Sequence, residues 1–128
     1  MRLRHVAPAL LAGALVLSAC GGGDDDSGAD ATTPSDADVV VKAVDPLSWD
    51  KEDYTATAGE VTIAVENNSS QPHDLRVIDP SGTQLALDLN IPSKGDVESG
   101  TLTLTPGAYT LICTIPGHSN MKSTLTVS

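Results

Sequence analysis

The chain has 128 residues, with 17 acidic against 7 basic side chains and a formal net charge of -10. That length suits one small domain plus accessory segments, and the charge excludes nucleic acid as a partner, because phosphate binding needs a basic face. Aromatic residues make up 2% of the chain and Phe is absent, so the core must be aliphatic and a large buried substrate pocket is disfavoured.

Residues 1–19 read as a leader. Arg2 and Arg4 give it a positive start, and Val6 to Leu17 form an apolar run too short to span a bilayer. The run closes on Leu17-Ser18-Ala19-Cys20, which resembles the lipobox of bacterial lipoprotein signal peptides. That resemblance implies cleavage before Cys20, lipidation of Cys20, and an extracytoplasmic protein anchored to the cell membrane. Two or more acyl chains anchor stably where one is marginal. The competing reading is an ordinary secretory leader in which Cys20 is incidental. Residues 20–38 follow as a linker. Its stretch GGGDDDSGADATTPSDA has no apolar periodicity and cannot bury enough surface to offset its ordering entropy. It reads as a flexible acidic tether, with Asp24 to Asp26 a solvated spacer rather than a docking or metal-binding tail.

Residues 39–128 read as a single domain of short strands. Val39 to Val44 is a β-branched run. Val61, Ile63 and Val65 then alternate with Thr62, Ala64 and Glu66, the period of a half-buried strand. Leu75 and Val77 continue the pattern, followed by Leu85, Leu87 and Leu89, by the Thr/Leu alternation of 101–105, by Tyr109, Leu111 and Cys113, and by Met121, Leu125 and Val127. Turn signals separate these runs at Ala58-Gly59, Asn67-Asn68, Asp79-Pro80-Ser81-Gly82, Ser93-Lys94-Gly95 and Pro106-Gly107. No stretch has a convincing helical period. Seven or eight strands in this length predict an all-β, antiparallel sandwich. Pro106-Gly107-Ala108-Tyr109 has the look of a tyrosine corner, which makes Tyr109 structural. Trp49 reads as a core plug.

The chemistry-bearing inventory is small. His5 leaves with the leader, so the domain keeps His73 and His118, one thiol at Cys113 and one thioether at Met121. Two His, one Cys and one Met are the ligand set of a mononuclear blue-copper site, a trigonal plane with a weak axial sulfur. A zinc site would use Cys and His without recruiting Met. Three of the four fall in the run Cys113-Thr-Ile-Pro-Gly-His118-Ser-Asn-Met121, a loop between two strand alternations at one pole of the expected sandwich. His73 opens a strand and can reach the same pole from a neighbouring loop. Taken singly, a buried Cys, His or Met in a sandwich is packing. The functional reading rests on all four together. Cys113 as a catalytic nucleophile lacks an orienting partner for its neighbouring His.

The segments Glu66-Asn-Asn-Ser-Ser-Gln-Pro-His73-Asp-Leu and Pro106-Gly-Ala-Tyr-Thr-Leu-Ile-Cys113-Thr-Ile-Pro-Gly-His118 resemble the two signatures of the cupredoxins, which include plastocyanin, azurin, amicyanin and auracyanin. The resemblance covers residues 39–128. It implies a Greek-key topology for the all-β sandwich, one type 1 copper ion, one-electron transfer through Cu(I)/Cu(II), and His73, His118, Cys113 and axial Met121 as ligands. The spacing C-x4-H-x2-M joins a first half similar to azurin or auracyanin to a second half similar to amicyanin. The residue after the first His is often an Asn that braces the two ligand loops; here it is Asp74, a carboxylate that can lower the potential, point to solvent or pair with Arg76. Two histidines cannot build the additional His-rich cluster of a multicopper oxidase, so an electron carrier is expected rather than an enzyme. It is expected to act as a monomer with a redox partner protein at the membrane surface. The alternative is an extracytoplasmic copper carrier, which would favour exchangeable Met- or His-rich ligation that this chain lacks.

Overall fold

The structure, a computed structural model, describes residues 32–128. The leader, Cys20 and the acidic run at 24–26 lie outside the described residues. Among those described there are nine strands and no helix. One sheet is built from β1 (Val39–Val44), β2 (Ser48–Trp49), β4 (Gly59–Asn67) and β7 (Val97–Leu104), in the order β2-β1-β4-β7. The other contains β3 (Asp53–Ala56), β5 (His73–Ile78), β6 (Leu89–Ile91), β8 (Gly107–Ile112) and β9 (Lys122–Val127), in the order β3-β9-β8-β5-β6.

The period-two runs decide which face each strand buries. Val39, Val41 and Ala43 on β1, Val61, Ile63 and Val65 on β4, Leu75 and Val77 on β5, and Leu111 and Leu125 on β8 and β9 are all at most 3% exposed. Together with Trp49, Tyr54 and Tyr109 they fill the space between the sheets. Trp49 is part of this core, as the sequence suggested. Ahead of β1, Asp38 exchanges backbone and side-chain hydrogen bonds with Thr62 on β4 (2.9 and 2.7 Å), and the Thr33 hydroxyl donates to Glu66.

Three details differ from the sequence reading. First, the sheets are mixed rather than antiparallel, since β1 runs parallel to β4 and β3 parallel to β9. Between β1 and β4, residues 45–58 first pair back on β1 as β2, then visit the second sheet as β3 and return, and a connection of that length permits a parallel pair where a hairpin would not. Second, β2 and β3 raise the strand number to nine; both are too short to show a period. Third, the 85–89 alternation marks a buried face but not a strand. Only Leu89 to Ile91 pair as β6, while Leu87 lies buried without ladder partners and Leu85 is tied by its N–H to the Val77 carbonyl. Leu87 reaches under β7, where its Cδ1 would sit 2.5 Å from a Cβ at position 100. Gly100 leaves it that room.

Tyr109 has the geometry of a tyrosine corner: its buried hydroxyl donates to the Thr105 carbonyl at 2.9 Å. Tyr109→Phe removes that donor and leaves the ring. The expected loss is about 1 kcal/mol, a fall of roughly 4–8 °C in melting temperature for a domain of this size. Calorimetry of the variant checks it, and an unchanged melting temperature would contradict the role.

Candidate metal centre

The antiparallel pairing of β5 with β8 sets the site. Arg76 stands opposite Ile112, so the start of β5 and the residues just past β8 arrive at the same end of the sandwich. His73 is the first residue of β5 and Cys113 the first beyond β8. The chain then turns through Ile115-Pro116-Gly117-His118, closed by a bond from the His118 N–H to the Ile115 carbonyl at 3.0 Å. Pro pre-sets the second position of such a turn, and the third requires positive φ; Gly117 has φ of 90°. The Met121 N–H bonds back to the His118 carbonyl (2.9 Å), and the Cys113 N–H bonds to the Met121 carbonyl (3.2 Å), where β9 is about to begin. The loop is thus fixed at its start, its tip and its end.

His73, Cys113 and His118 converge there. One ligand atom from each lies within 4.8 Å of the others. Cys113 Sγ is 3.6 Å from His118 Nδ1, and the two imidazole rings are 5.0 Å apart at 52°. Bonds of about 2.0–2.3 Å to one shared ion in a trigonal plane would place donors about 3.5–3.7 Å apart. All three residues are buried, with exposures of 1, 6 and 7% in chain order. His73 Nδ1 is buried with no hydrogen-bond partner, while the other ring nitrogen, Nε2, lies 2.6 Å from Ser69 Oγ. An orphaned nitrogen on a histidine grouped with a thiol and a second imidazole fits a metal donor, because buried polar atoms are otherwise paired. Met121 is 1% exposed and directly precedes β9.

The electrostatics agree. Burial holds the His73 imidazolium below its ordinary range, and the second imidazole at His118 pushes the same way, so His73 is neutral, the form that ligates. Burial pushes the Cys113 thiol up; the backbone N–H groups of Asp74 and Ile115 pull against it, and the Asp74 carboxylate adds to the rise. Without a cation beside it the sulfur keeps its proton, whereas a bound metal would deprotonate it outright. Two imidazoles and a thiolate suit copper.

Asp74 does not point to solvent. It is 5% exposed and accepts the Thr114 N–H at 2.6 Å, the Thr114 hydroxyl, and the Arg76 Nε–H at 3.4 Å. Arg76 also reaches Asp88 at 2.5 Å. By the β5–β8 register Asp74 stands opposite Thr114, so its carboxylate takes over where the ladder stops and ties the residue after His73 to the residue after Cys113. Burial pushes the Asp74 carboxyl up, but the Thr114 hydroxyl and N–H, with Arg76 behind them, hold it below the ordinary carboxylate range. Sequence reasoning named His73, Cys113 and His118, which the structure brings together, and offered pairing with Arg76 as one of the alternatives for Asp74. It missed Thr114, and also Ser69 and Asn67, whose only signal is an Asn/Ser-rich loop prone to local turns.

Neither a protein-family model nor a curated protein matches the chain by sequence; the likeness is structural. A dithionite-reduced auracyanin from the photosynthetic bacterium Roseiflexus castenholzii superposes with a TM-score of 0.63 at 23% identity, covering 70% of this chain and 95% of that one. A purple cupredoxin from Nitrosopumilus maritimus gives 0.55 at 22% identity, over 71% of this chain and 100% of that one. An amicyanin variant in a reduced Cu(I) form gives 0.58 at 21% identity, over 75% and 86%. This chain has the cupredoxin fold. The three candidate donors lie at one pole, His73 at the start of β5 and Cys113 and His118 in the loop after β8.

Asp74→Ala should cost the metal-free protein about 1–3 kcal/mol, since it removes the hydrogen bonds of the Thr114 N–H and hydroxyl and the Arg76 Nε–H to a buried carboxylate. Asp74→Asn should cost less, because an amide oxygen still accepts from the Thr114 N–H. Urea unfolding of the two variants checks the order, and equal losses would mean that the charge, not the clamp, does the work.

Proposed function

We propose that this chain is an electron carrier built on one copper ion held by His73 Nδ1, Cys113 Sγ and His118 Nδ1, with the Met121 thioether as a weak axial donor. The observation that carries this reading is the buried triangle of three soft or borderline donors, one of them an unpartnered nitrogen. The ion would supply a one-electron change between Cu(I) and Cu(II); the protein supplies a fixed, water-poor frame for both states. Structures sharing the fold include a reduced auracyanin and a Cu(I) amicyanin, which supports the assignment. A carrier that hands its copper on needs exposed, exchangeable donors, and these three are nearly buried.

Electrons would pass through the His118 edge. Beside His118 in its loop, Pro116 and Gly117 are exposed and Ile115 is half-buried, with exposed Pro72 ahead of the other imidazole. This small cap carries no charge in a chain of net charge -10, and small apolar patches suit brief redox encounters. The partner we propose is a redox protein at a membrane surface, with the chain anchored there through lipidated Cys20; the support for the anchor is the leader sequence.

Cys113→Ser should abolish the thiolate charge-transfer colour of the copper protein while circular dichroism keeps its β signature. Retention of the band would refute the assignment. Met121→Leu, by contrast, should keep copper and colour and raise the reduction potential, since a weak donor to Cu(II) is lost.

Pro116→Glu should leave copper affinity and the absorption spectrum unchanged and slow electron self-exchange about tenfold or more, because two like charges would meet across the contact. Self-exchange at the parent rate, measured by NMR line broadening in mixed redox samples, would move the electron path elsewhere.

A further inference from the structure

The loop before His73 contains a hydrogen-bonding pattern that the ligand assignment does not use. Ser69 is fully buried and its hydroxyl has three neighbours: His73 Nε2 at 2.6 Å, the Gln71 N–H at 3.1 Å and the Gln71 carbonyl at 3.2 Å. A hydroxyl has one proton to give and two lone pairs to receive. The Gln71 N–H is a fixed donor and takes one lone pair. The Gln71 carbonyl, which also accepts from Asn67, can take the proton. That leaves one lone pair for His73 Nε2, which then carries its own proton. In the opposite tautomer the Nδ1–H would be a buried donor with no acceptor, the rarer and costlier kind of orphan.

We propose that Ser69 is a positioning residue for metal binding: its hydroxyl holds His73 in the Nε2–H tautomer and turns the bare Nδ1 toward Cys113 and His118. This rests on the reading of His73 as a ligand, and it adds how one of its two nitrogens is selected before any metal arrives. The backbone around Ser69 is also held by a second side chain. Asn67, also fully buried, accepts the Ser69 N–H at 2.9 Å and donates to the Gln71 and Ile91 carbonyls at 2.8 and 2.9 Å. These Asn67 ties remain when the hydroxyl is removed, although the Gln71 N–H loses its partner. An imidazole that loses the partner of its non-ligating N–H loses both tautomer and orientation, at a typical cost of about 10–100-fold in metal affinity.

Two measurements test this. In the metal-free parent, two-bond proton–nitrogen NMR correlations should show His73 as Nε2–H; an Nδ1–H imidazole there overturns the proposal without any variant. Ser69→Ala, followed by chelator competition for Cu(I), should bind about 10–100-fold more weakly than the parent and show altered Cu(II) EPR parameters, with His73 populating both tautomers. Parent-like affinity, EPR and tautomer in Ser69→Ala would equally overturn it. A parent that shows the Nε2–H tautomer yet binds no copper sinks the electron-carrier reading instead and leaves the role of Ser69 in choosing the tautomer standing.

Discussion

Everything at the site follows from the register of one strand pair. Pairing Arg76 with Ile112 brings two segments forty residues apart in sequence to the same end of the sandwich, and it sets Asp74 against Thr114. A slip of one residue would turn His73 and Cys113 to the opposite face and scatter the donors. Two things hold that register: the inward alternation of Leu75 and Val77 against Leu111, and the Asp74 clamp that extends the pairing past its last ladder bond. The core and the site are thus specified by the same interaction, and the aliphatic packing that stabilises the domain also fixes the donor geometry.

The second element is burial without complete satisfaction. The described core pairs its polar side chains closely, with Asn67, Ser69 and Asp74 each making two or more hydrogen bonds. Against that background His73 Nδ1 is conspicuous as an atom kept dry and unpaired. The other buried nitrogen in the same condition, Trp49 Nε1, belongs to the ring that lies 6.3 Å from His73. A protein interior tolerates an orphan acceptor when a cation completes it, and neutral His73 with a thiol held protonated by burial describes an uncharged site whose thiol gives up its proton when a cation enters.

The sequence disclosed the donors more readily than the frame around them. The period-two runs located β1, β4, β5, β8 and β9 because each buries one face, and period is a property of burial. It failed at 85–89, where Leu87 is inward-facing without a ladder, and at β2 and β3, which are too short to have a period. The parallel pairings were illegible because they depend on where 45–58 cross between sheets. Within the site, His73, Cys113, His118 and Met121 stood out because the domain holds so few ligating side chains. Ser69, Asn67 and Thr114 are ordinary polar residues whose importance comes from contacts made in three dimensions.

The most direct measurement is the optical and EPR spectrum of the copper-loaded protein. A buried thiolate and two imidazoles around one Cu(II) predict an intense blue or green thiolate-to-copper charge-transfer band from a single bound ion, bleached reversibly by reduction. A protein that takes up no copper, or one whose Cu(II) form is pale with only weak ligand-field absorption, would contradict a site in which Cys113 is bonded to the metal.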